Sequence, residues 1–182
     1  LLPFVPHGAT GPGADAARAI VTSLEPSIVP LARHPDPALR TKALVLVARS
    51  SSDAAVEAVV GGLEDSSQAV QRVALAAVGS HGPASARAVA AVGKILATHE
   101  SWAMRVLAAQ ALGRLGAAGA TDAGPKLADA TTRDSYALVR QAALEALASF
   151  DAATARTLAA RVATADPEPR VRDAARAIAD KR

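Results

Sequence analysis

A seven-residue box recurs five times in this chain: His34-Pro35-Asp36-Pro37-Ala38-Leu39-Arg40, then residues 65–71, 99–105, 134–140 and 166–172. The box starts lie 31, 34, 35 and 32 residues apart. A period of this length marks repeat architectures in which each unit cannot bury its apolar face alone and must stack on its neighbours. The chain is therefore expected to be all-α: an α-α superhelical solenoid of about five helix pairs with a C-terminal capping helix.

The residues after each box repeat too. After Arg40 come Ala43, Leu44 and Val47; after Gln71 come Ala74, Leu75 and Val78; after Arg105 come Ala108, Ala109 and Leu112; after Arg140 come Ala143, Leu144 and Leu147. These +3, +4 and +7 positions form one apolar stripe on a helix. Breaks are expected at Ser50-Ser51-Ser52, from Gly79 to Pro83, from Gly113 to Gly119, and at Ser149-Phe150. Second helices should then carry Val56, Val59, Val60 and Leu63; Val89, Val92, Ile95 and Leu96; Leu127; and Leu158 and Val162. Asp53 and Asp151 are candidate caps, and Pro125 suits a first turn. The helix near 121–131 should be the weakest, because Gly124 and few large apolar residues leave it little to bury. A last helix near 168–181 carries Arg172, Arg176, Lys181 and Arg182, the polar face a terminal cap needs.

Residues 1–13 hold three prolines and three glycines and read as a linker or extended arm, with the solenoid domain running from 14 to 182. Pro26 and Pro30 make the first pair irregular. Apolar residues are 51% of the chain and aromatics 2%, so the interior must be built from Ala, Val and Leu on closely approaching helices. Net charge is +3, with eight basic and eight acidic side chains in residues 1–100 and twelve and nine in 101–182. So small an excess disfavours nucleic acid as the partner. The absence of cysteine excludes disulfides and thiolate metal sites. No apolar run reaches the ~18 residues of a membrane span, and Leu1 to Pro6 lacks the charged n-region of an intact signal peptide, so the chain is expected to be a fragment of a longer protein; a cytoplasmic location and a monomeric isolated domain are further expectations.

The box 166–172 and the run Met104-Arg105-Val106-Leu107-Ala108-Ala109-Gln110-Ala111-Leu112-Gly113 resemble the short bacterial HEAT repeats of phycobilisome lyase subunits. The resemblance covers residues 34–182. It implies a HEAT-repeat fold and leaves function open, since similar arrays serve as scaffolds, lyase subunits, DNA glycosylases and a metal hydroxylase. It also implies that Arg40, Arg105, Arg140 and Arg172 are framework residues bonding across the inter-repeat turn, with Asp65, Asp134 and Asp166 as turn residues. Gln71 departs from this pattern, as do His34 and His99, which stand where other boxes have Asp.

His34 and His99 lie two repeats apart, roughly 20 Å at ~8–10 Å per helix layer, too far to share an ion. His81 falls in a turn within a repeat and His7 in the arm. The pair His99-Glu100 invites comparison with deoxyhypusine hydroxylase, whose His-Glu pairs follow the repeat Arg; here those places hold Val106-Leu107 and Gln141-Ala142. A glycosylase would need more aromatic residues than Phe4, Trp102, Tyr136 and Phe150. The expectation is a non-catalytic scaffold without metal or cofactor, binding a protein partner or a neighbouring domain of the same polypeptide. A nucleic-acid module and a lyase-type subunit are the alternatives. The concave face such arrays form from their second helices would use Arg87, Lys94, Lys126, Arg156 and Arg161, with Glu57 at its acidic end, and Trp102 and Tyr136, near the starts of first helices, are separate candidate partner-binding residues.

Overall fold

Pro37 and Pro169 stand first in their helices and Asp36 caps the helix that follows it, and the Ala-rich runs after the boxes propagate, because Ala loses no side-chain entropy in a helix. The computed structural model describes residues 11, 19–20, 23–48, 50, 52–79 and 87–181, and every regular element among them is helical. The expected arm, His7, Phe4, Ser51, His81, Arg182 and most of the 79–83 break lie outside the described residues.

The chain divides into two compact units, residues 1–85 and 86–182. In the first, a helical turn at 23–28 passes into a 3-10 helix η1 (Val29–Arg33), followed by α1 (Pro37–Val47), α2 (Asp53–Gly62) and α3 (Gln68–Ala77). The tightening at η1 is where Pro30, which has no N–H to donate, falls. Helix α1 packs on η1, α2 and α3. Leu44, Val47, Val56, Leu63, Val70 and Leu75 form the core.

The second unit holds α4 (Val89–Thr98), α5 (Trp102–Ala117), α6 (Ala123–Arg133), α7 (Ala137–Ala148), α8 (Ala152–Ala165) and α9 (Pro169–Ala179). The box-led helices α5, α7 and α9 pack side by side in one layer, and α4, α6 and α8 in the other. Leu112, Leu115, Leu127, Leu144 and Leu147 are fully buried between them, with Val92, Val139 and Val171. Helix α6 forms in full despite its poor stripe, because Leu127 and Thr131 are buried and the Thr131 hydroxyl donates to Leu127 O at 2.8 Å.

Two local expectations fail. Ser52, not Asp53, caps α2, its hydroxyl accepting the Ala55 N–H at 3.1 Å; Asp151 does cap α8 through Thr154 N–H at 3.0 Å. The break placed from Gly113 to Gly119 is also shorter than expected: α5 continues through Gly113 and Gly116 to Ala117, and the chain turns at Gly119, where φ is +97°. Gly113 serves packing instead. A Cβ there would sit 3.0 Å from Ala146 Cβ and 3.3 Å from the backbone of α7, so only glycine lets α5 and α7 approach this closely.

Candidate functional site

Every box arginine makes the same local bonds. Arg40, Arg105, Arg140 and Arg172 each donate Nη1 to the carbonyls of the first two residues of their own box, at 2.8 to 3.3 Å. Three of them also reach the next repeat. Nε and Nη2 of Arg40 grip both oxygens of Asp65 at 2.7 Å, Arg105 does so with Asp134, and Arg140 with Asp166. Such forked pairs are short, charge-assisted and orienting. Each aspartate also accepts the N–H two residues on, from Ser67, Tyr136 and Glu168. The arginine beside Asp65 and beside Asp166 holds each carboxyl below its ordinary value. This ladder confirms the framework role expected for the boxes.

The exceptions are chemically matched. Gln71 keeps the local bond, donating to Asp65 O at 2.8 Å, but an amide lacks the cationic fork. His34 and His99 keep the turn, with Nδ1 accepting the N–H of Asp36 and Ser101 at 3.0 Å. Their lone pairs are thus committed to the backbone, and among the described residues no three His, Asp or Glu side chains gather where they could hold a metal ion.

Trp102 and Tyr136, from consecutive boxes, stack with ring centroids 6.2 Å apart and planes 16° from parallel, and the Arg105 guanidinium lies 5.4 Å from the Tyr136 centroid. The structure therefore brings these two together. They brace the Arg105–Asp134 rung and remain about half exposed.

The basic residues expected on the second-helix face all belong to the 86–182 unit. Lys94 is exposed on α4, Lys126 on α6, and Arg156 and Arg161 on α8, while Arg87 lies in the turn before α4. Two open grooves run between these helices. One, of about 400 Å³ between α4 and α6, is lined by Leu96, Lys126, Asp129, Ala130 and Arg133. The other, of about 290 Å³ between α6 and α8, is lined by Thr132, Asp134, Leu158, Arg161 and Asp166. Lys94, Arg156 and Arg87 line neither groove. The Lys126 stem crosses α4 at Gly93, where a Cβ would lie 2.5 Å from Lys126 Cδ. Thus Gly93 makes the seat that the lysine occupies.

The acids in these grooves are already matched. Asp129 pairs with Arg133 at 3.1 Å, Asp134 with Arg105 at 2.8 Å and Asp166 with Arg140 at 2.8 Å. Lys126 and Arg161 have no such partner among the described residues, so each groove carries one uncompensated positive charge. Sequence reasoning missed Arg133 and its pairing, although the i, i+4 spacing to Asp129 signals it. In the first unit the corresponding groove between η1 and α2 holds Glu57 with Arg33 and His34. Among the described residues, no helix is long and apolar enough to cross a membrane.

Comparison with known proteins agrees with this geometry. A solved complex of CpcE and CpcF of phycocyanin lyase from Nostoc sp. PCC7120 superposes with a TM-score of 0.63 at 17% identity, over 87% of this chain and 99% of that one. An engineered protein gives 0.58 at 24% identity, over 90% and 83%. A designed armadillo repeat protein in complex with the peptide (KR)4 gives 0.51 at 16% identity, over 92% of each chain. These likenesses establish a shared helical-repeat fold. No curated protein sequence matches. The model of HEAT repeats matches residues 56–148 and again 89–179, windows that hold four of the five boxes and three of the second helices in full, and the chain belongs to the HEAT-repeat family.

Proposed function

We propose that this HEAT-repeat array is a non-catalytic scaffold that binds an acidic protein segment along its second-helix face. The observation that carries this reading is the charge imbalance within the two grooves. Every groove carboxylate is neutralised by an arginine, whereas Lys126 and Arg161 are not. The net charge of the chain does not describe this local field, which depends on where the unpaired cations lie. A protein of similar fold has been solved with a bound peptide, so a peptide is an occupant that such repeats accept. Here the groove charges favour the opposite sign of peptide.

The test is a pull-down from a lysate of the source organism with the wild type and with Lys94→Glu/Lys126→Glu/Arg161→Glu. The expected result is a set of acidic proteins held by the wild type and lost by the triple variant, with both melting alike, since exposed substitutions cost within ~0.5 kcal/mol each. Identical partner profiles would remove this face as the binding surface. Recovery dominated by nucleic acid, released steeply by salt, would favour a nucleic-acid module instead.

A further inference from the structure

Lys126 stands on α6, but the end of its side chain lies on α4. A Cβ added to Gly93 would sit 2.5, 2.9 and 3.3 Å from Lys126 Cδ, Cε and Nζ, so the last three atoms of the lysine run across the bare backbone of α4 at this glycine. The stem therefore bridges the two walls of the groove that both residues line. Gly93 is buried and Lys126 exposed, and the ammonium has no ion pair or hydrogen bond among the described residues. The alkyl stem is packed while the charged head stays accessible.

The space at Gly93 is taken by the lysine and not by the neighbouring helix backbone. All three atoms nearest the added Cβ belong to the Lys126 side chain, whereas at Gly113 two of the three are backbone atoms of α7. Helices α4, α6 and α8 end alike, each C-capped by the first residue of the next box, His99, Asp134 or Asp166. Counted back from those caps, α6 has Ala128 where α4 has Gly93, and α8 has Leu158 where α6 has Lys126. The same layer thus carries a Cβ at the glycine position where the facing position holds no lysine. Glycine in mid-helix is unfavourable relative to alanine, and the lysine tail fills the space an alanine methyl would take.

We propose that Gly93 is a positioning residue for ligand binding: it seats the Lys126 tail across the groove and so presents the ammonium at the α4 wall, where a carboxylate of the acidic segment meets it. This rests on the acidic-segment reading above and adds what fixes its cation. A side chain already held in place loses less freedom on capturing a ligand than a free one.

Fluorescence anisotropy of a labelled hexaglutamate peptide with the whole chain at low ionic strength, alongside thermal melting, tests this. Gly93→Ala keeps the charge of Lys126 but fills its seat. It should weaken binding about fivefold, the scale of one rotamer-rich side chain set free. It should melt at or above wild type, because the displaced atoms are the end of a flexible chain and alanine favours the helix. Lys126→Gln should weaken binding at least as much, and Gly93→Ala added to it should change nothing more. Wild-type affinity in either single variant, or an equal further loss when the two are combined, would overturn the seat while the acidic-segment reading stands. A Gly93→Ala melting temperature below wild type would also overturn it, since the methyl would then press on the helices and not on the lysine. No binding of hexaglutamate by the wild type would overturn both readings.

Discussion

Arg140 reaches 26 residues along the chain to hold both carboxylate oxygens of Asp166 at 2.8 and 2.9 Å, while its Nη1 closes its own box at Asp134 O. One side chain thus ties a turn and the joint to the next repeat. Arg172 makes the same two bonds within its box, but no forked carboxylate pair among the described residues. Arg140→Ala should cost about 2–4 kcal/mol, between the value of a charged hydrogen bond and that of a buried pair broken on one side. Arg172→Ala should cost less than half as much. Thermal melting of the two variants checks the difference, and equal losses would mean that the ladder adds nothing beyond the turn.

The ladder also sets an acid limit. Asp65 and Asp166 are held below the ordinary carboxylate value of 3.8 by the arginines that donate to them. A carboxylate with a depressed folded value stabilises the fold above its unfolded value, and that stabilisation is lost as pH falls through the folded one. The melting temperature should therefore drop below about pH 4. Asp166→Asn should melt below wild type at neutral pH, with the gap narrowing as the wild-type carboxylate is protonated.

Glycine substitutions should change sign with their surroundings. Alanine gains up to ~1 kcal/mol over glycine within a helix. At Gly61, where nothing lies within 4 Å of a new Cβ, Gly61→Ala should stabilise by about that much. At Gly113 the new methyl meets the α7 backbone, so Gly113→Ala should destabilise by about 1–2 kcal/mol despite the same propensity gain. Denaturant melts of both variants decide this.

Trp102 and Tyr136 brace two boxes through their stack. Trp102→Ala should lower stability by about 1 kcal/mol, the scale of an aromatic pair, and leave affinity for an acidic peptide within about twofold. A large loss of binding without loss of stability would instead make the stack a contact surface.

The boxes made the fold legible, because period, stripe and turn residues all pointed to one architecture. The cross-turn role of Arg105 and Arg140 came from the resemblance to HEAT repeats and not from the periodicity itself. Other features were not legible. Glycine at Gly113 and Gly116 gives the same signal whether it ends a helix or admits a close neighbour, and only tertiary packing distinguishes them. The Ser50 and Ser52 hydroxyls, read as a turn, donate to the buried Glu25 carboxylate 25 and 27 residues earlier, a contact with no local signature. On the candidate site, sequence placed Lys94, Lys126 and Arg161 on second helices but could not show that the neighbouring acids were already paired. That depended on contacts between successive repeats.

The most direct test of the account maps where an acidic ligand sits. Hydrogen–deuterium exchange of the whole chain, with and without a saturating acidic peptide, should show added protection in α4, α6 and α8 around Lys94, Lys126 and Arg161, with α5, α7 and α9 unchanged. Protection centred on the box-led helices or on the Trp102–Tyr136 edge would contradict the account, as would none at any position.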